Sequence, residues 1–127
     1  MPRHTLGDLQ TAIMRILWAR GRATVAEVHE ALRAERPLAP TTIATMLRKM
    51  ESKGVVRHVT EGRTFQYLPT VSEVQVRRSM VGALVERLFA GDPRELVAHL
   101  VSEREIEPRE LDELRRRFGR GRKPERG

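Results

Sequence analysis

Between Thr41 and Pro69 the hydrophobic period of the chain changes from helical to extended across one glycine, Gly54. Ile43, Met46, Leu47 and Met50 recur at the spacing of a single helix face, while Thr41, Thr42, Thr45, Arg48, Lys49 and Ser52 fall on the opposite one. Gly54 stands where a helix C-terminus turns left-handed. Residues 55–60 (Val-Val-Arg-His-Val-Thr) and 64–69 (Thr-Phe-Gln-Tyr-Leu-Pro) are rich in β-branched and aromatic side chains and are joined by Glu61-Gly62-Arg63, which is a hairpin signal. An ordinary solvated helix face mixes Glu with Lys. This one is small, hydroxylated and basic.

Two further helices precede this pair. Leu6, Leu9, Ile13, Ile16 and Leu17 mark a helix over residues 6–19, with Trp18 as a packing anchor and Gly21 as its stop. Thr24-Val25-Ala26-Glu27 fits a capping box, in which hydroxyl and carboxylate each satisfy a backbone N–H of the other residue. It opens a short helix to about Leu32, lined inside by Val25, Val28 and Leu32, and Pro37 ends that segment. Helix, helix, helix and hairpin within residues 1–70 predict a mostly α winged helix-turn-helix domain. In that architecture the third helix enters the major groove and the hairpin reaches backbone or minor groove.

From Ser72 the helical period returns. Val74, Met80, Val81, Leu84, Val85, Leu88 and Phe89 form a broad stripe up to Gly91-Asp92-Pro93. Asp92 caps a helix carrying Leu96, Val97, Leu100 and Val101, and Pro108 opens another with Leu111, Leu114 and Phe118. Three helices within residues 71–118 are too few to bury such stripes alone, so a second copy of the chain is expected to cover them. The dimerisation residues are then Val81, Leu84, Val85, Leu88, Phe89, Leu96, Leu100, Leu111, Leu114 and Phe118. Residues 119–127 carry no apolar side chain that could pack and are expected to form a basic disordered tail.

The charge is uneven. Of 24 Lys and Arg and 17 Asp and Glu in 127 residues, residues 1–70 hold 11 against 6, whereas residues 71–118 hold 9 against 10. The first part suits a polyanion and the second suits protein. The absence of cysteine excludes a disulfide framework, thiolate metal sites and a cysteine nucleophile. No apolar run approaches the ~20 residues of a membrane span, and the start lacks a signal peptide's apolar stretch. A cytoplasmic protein without membrane insertion is expected. His4, His29, His58 and His99 show no i, i+4 pairing, so neither metal nor other cofactor is expected. No Gly-x-Ser-x-Gly elbow or phosphate-binding glycine loop occurs, and carboxylates alternate with arginines as on solvated faces, which argues against an enzyme.

These features assign DNA-binding roles residue by residue. Thr41, Thr42 and Thr45 can reach base edges or phosphates, since a threonine hydroxyl donates or accepts and its methyl packs on a thymine methyl. Arg48 and Lys49 anchor phosphates, which fixes register without reading sequence. Arg63 is the contact at the wing tip. Thr24 caps its helix, and a phosphate at that same N-terminus would meet free N–H groups and the helix dipole. The rival class is a winged-helix interaction module that docks an acidic partner protein.

Leu9 to Trp18 (Leu-Gln-Thr-Ala-Ile-Met-Arg-Ile-Leu-Trp), Ala39-Pro40-Thr41-Thr42-Ile43-Ala44-Thr45, Lys53-Gly54-Val55-Val56 and Gly62-Arg63-Thr64-Phe65-Gln66-Tyr67, in that order, resemble the penicillinase-repressor (BlaI/MecI) family of transcriptional regulators. The resemblance spans about residues 6–118. It implies a homodimeric repressor on a dyad-symmetric, inverted-repeat operator in double-stranded DNA, with a membrane sensor protease system upstream in the antibiotic-resistance members. Those members are cleaved at an Asn-Phe bond where this chain has His99-Leu100, and they carry a long basic side chain where it has Ala44. The cysteine motif of copper-responsive relatives is absent.

Overall fold

The computed structural model describes residues 6–119, in the order α1 (Asp8–Arg20), α2 (Val25–Leu32), α3 (Pro40–Lys53), β1 (Val56–Glu61), β2 (Thr64–Pro69), α4 (Glu73–Leu88), α5 (Pro93–Ser102) and α6 (Pro108–Phe118). The basic tail expected over 119–127 lies, from residue 120 onward, outside the described residues. Two compact units meet between Val81 and Gly82.

In the first unit, α1 buries Ile13, Met14 and Leu17 against Val28 and Leu32 of α2 and Ile43, Leu47 and Met50 of α3. The capping box at α2 forms: the Glu27 N–H donates to Thr24 Oγ1 at 3.1 Å, and the Thr24 N–H donates to Glu27 Oε1 at 2.9 Å. Thr24→Ala is expected to cost about 1 kcal/mol of unfolding free energy in a urea titration. An unchanged midpoint would deny the cap that weight.

Pro40 occupies the first turn of α3, where its missing N–H is no loss. At the other end Gly54 has φ +88° and ψ +14°, and the Val55 N–H donates back to Met50 O at 3.1 Å. That bond ties Val55 into the helix cap. The strand therefore starts at Val56, one residue later than the composition of 55–60 suggests.

β1 and β2 form an antiparallel pair in the register Val56↔Pro69, His58↔Tyr67 and Glu61↔Thr64. Glu61 is thereby part of the ladder, and the turn shrinks to Gly62-Arg63, with Gly62 at φ +64°. Ala23, in the α1–α2 connection, exchanges two bonds with Tyr67 (3.0 and 2.8 Å) and adds a one-residue third rung. The Thr70 hydroxyl donates to Gly54 O at 2.6 Å and holds the base of the hairpin to the end of α3.

The first unit continues past residue 70, where composition alone placed its end. Trp18 Nε1 donates to Val71 O at 2.9 Å, Val76 is buried in the three-helix core, and Met80 packs against that core. The first half of α4 thus completes the winged domain. Ser72 and Gln75 cap it reciprocally, at 3.0 and 2.8 Å.

In the second unit Asp92 caps α5 by accepting from the Arg94 N–H at 3.0 Å, and the Arg94 side chain holds its carboxyl below the usual carboxylate range. Neither α5 nor α6 buries a single residue fully. Of the residues assigned to dimerisation, Val85 is already buried within the chain, while Phe89, Leu96, Leu100 and Leu111 are half-buried. Val81, Leu84, Leu88, Leu114 and Phe118 face solvent, Leu88 at 66% and Phe118 at 64% exposure. His99 and Leu100 lie inside α5.

Candidate nucleic-acid interface

Burial of Ile43, Leu47 and Met50 fixes the rotation of α3. The same rotation turns Thr41, Thr42, Thr45, Arg48 and Lys49 outward, all exposed. Arg48 Nη2 donates to Thr45 Oγ1 at 3.3 Å, so the last threonine of the face and its guanidinium are already aligned. Ala44 is half-buried. The only acidic residue of α3 is Glu51, one turn before the cap.

Arg63 is exposed at the wing tip. Thr24 stands differently from the other assigned residues: its hydroxyl and its N–H are both paired with Glu27. A phosphate approaching α2 would meet the remaining N–H groups of the first turn and the Glu27 carboxylate, not a free threonine hydroxyl.

Three features were invisible to the spacing of residues. Lys53 Nζ donates to Gln10 Oε1 at 2.9 Å, linking the end of α3 to α1. Arg22 lies 3.9 Å from Glu61, an exposed pair between the α1–α2 connection and the wing. The third is on the wing's inner side, where His58 Nδ1 meets both Glu51 carboxylate oxygens at 2.8 and 2.9 Å and its ring stacks on Phe65 at 4.0 Å. Beside them, burial and then the Glu51 carboxylate raise the Tyr67 hydroxyl above the usual phenol range, against a lowering pull from Arg48. Among the described residues no group of His, Asp and Glu is arranged to hold a metal ion, and no helix is long and apolar enough to cross a membrane.

Three helices closed by a two-stranded wing, with a threonine and cation face turned outward on the third, define a winged helix-turn-helix DNA-binding domain. The sequence model of the penicillinase repressor family matches residues 6–120, and the chain belongs to that family. It is 36% identical to the transcriptional regulator BlaI of Mycobacterium tuberculosis over 96% of this chain and 92% of that one. It is 26% identical to the penicillinase repressor of Bacillus licheniformis, covering 86% and 85% of the two chains. The solution structure of B. licheniformis BlaI, in monomeric form in complex with the blaP half-operator, superposes with a TM-score of 0.51 at 30% identity, over 58% of this chain and 90% of that one. The family is one of DNA-binding transcriptional repressors, not of enzymes.

Proposed function

We propose that the chain represses transcription in the cytoplasm as a homodimer. Each copy lays α3 in a major groove and its wing on the flanking backbone, across an operator with dyad symmetry. The outward face of α3 carries this reading: hydroxyls at Thr41, Thr42 and Thr45 give way to cations at Arg48 and Lys49, on a helix whose other face buries Ile43, Leu47 and Met50. Hydroxyls near base edges confer sequence preference, and the cations neutralise phosphates. Exposed apolar side chains at Leu84, Leu88, Leu114 and Phe118, with Val81 at the boundary, support pairing through the second unit. So does the relative that occupies a half-operator as a monomer, because two copies then fill a whole operator.

The test separates the two kinds of contact. Lys49→Ala is expected to weaken selected and random duplexes alike and to flatten the dependence of log affinity on log salt by about 0.9, the value of one phosphate contact. Thr42→Ala and Thr45→Ala are expected to lower only the preference for the selected duplex, by about fivefold to tenfold, with the salt slope unchanged. Equal losses on both duplexes for the threonine variants would reject the assignment of α3 as the reading helix.

A further inference from the structure

Register places Val56, His58 and Thr60 on one face of the hairpin with Phe65, Tyr67 and Pro69. Burial falls along that face from base to tip: Val56 and Tyr67 are buried, His58 is intermediate, and Phe65 and Thr60 are exposed. The His58–Phe65 stack is therefore the layer at which this face of the wing meets the body, with the exposed Arg22–Glu61 pair farther out. What it touches is Glu51 of α3. An ionised carboxylate can only accept, so Nδ1 is the donor in this pair. Phe65, nearly parallel at 14°, closes one ring face, and Tyr67 lies 5.7 Å away on the same strand. Arg48, of the same helix as Glu51, acts on the neighbouring Tyr67 hydroxyl.

We propose that Glu51, His58 and Phe65 form a strut that sets the position of the wing relative to the reading helix. These are positioning residues, and they act through Arg63. Beyond the strut, Thr60 to Thr64 has ladder bonds and no further packing layer, apart from the exposed Arg22–Glu61 pair. A hairpin of two strands is marginal without a surface to lean on. The strut also gives the acidic residue of α3 a donor, since His58 Nδ1 lies within hydrogen-bond distance of both carboxylate oxygens. The consequence for duplex binding rests on the proposed function, whereas the ordering of the wing does not.

The experiment uses the full chain. Amide relaxation is measured for residues 60–64, and affinity is measured for a duplex that the protein selects from a random-sequence pool. Glu51→Ala and His58→Ala are expected to lower the wing's order parameters from about 0.85 to below about 0.6, with α1 unchanged. Glu51→Gln, whose amide oxygen still accepts from Nδ1, restores them. Arg63→Ala is expected to weaken the parent about tenfold, as loss of a charge-assisted bond does, but less than about threefold in the Glu51→Ala background. Glu51→Gln carries the same charge change, so it separates lost order from relieved repulsion of phosphate. A wing equally ordered in Glu51→Ala overturns the strut. Additive losses overturn its link to DNA. Falling order combined with an Arg63→Ala variant that binds like the parent upholds the strut and overturns the wing contact.

Discussion

Leu88→Glu is expected to turn a dimer into a monomer at micromolar concentration and to cost affinity for a full dyad about a hundredfold or more, while a half-site duplex is bound as before. Leu88 is 66% exposed in the single chain. In a twofold-symmetric interface each substitution is made twice. Burying a leucine contributes about 1.5–3 kcal/mol, so the two copies forfeit roughly 3–6 kcal/mol, and a glutamate left unpaired in the interface adds a desolvation cost. A loss of that size weakens association by a factor on the order of 10³ or more. Light scattering behind size exclusion measures the mass, and helical circular dichroism checks that the chain remains folded. Phe118→Glu, at 64% exposure, is the parallel variant on α6. A Leu88→Glu chain that still sediments as a dimer would remove this face from the interface.

Leu47→Ala attacks the buried side of α3. The side chain is fully buried at the junction of the three helices, and truncating such a leucine costs about 2–5 kcal/mol through lost transfer energy and the cavity left behind. Whole domains are stable by only about 5–15 kcal/mol, so the variant is expected to unfold at a much lower urea concentration and to bind DNA weakly at 37 °C. Binding should recover in the cold or with a stabilising osmolyte, because the outward face is unaltered. Lys49→Ala, which removes the proposed phosphate contact and an exposed side chain, should show no such recovery. A Leu47→Ala chain with parental stability would mean that the core of this unit lies elsewhere.

Features set by neighbours within about four residues were legible before any coordinates. The buried and outward faces of α3, the Thr24–Glu27 box, the Gly54 cap and the Asp92 start of α5 all follow from helical period and from the backbone groups that a helix end leaves unpaired. The hairpin was legible for the same reason, with its first strand displaced by one residue because Val55 serves the cap and Glu61 the ladder, and its second strand as read. The outward positions of Thr41, Thr42, Thr45, Arg48 and Lys49 were thus implicit in the buried stripe.

Contacts between distant segments left no periodic trace in the chain. Trp18 finds Val71 across 53 positions and Ala23 finds Tyr67, and together with Val76 they extend the first unit into α4, where a composition shift had suggested a boundary near residue 70. The pairing of Glu51 with His58 bridges a helix cap, so neither helical nor strand spacing relates the two. Period also makes Val85 and Leu88 equal members of one apolar stripe, yet packing within the chain buries the first and leaves the second exposed. Local backbone chemistry chose the elements and their faces. Which faces are spent inside the chain, and which remain exposed, was decided by packing over distances that no local pattern encodes.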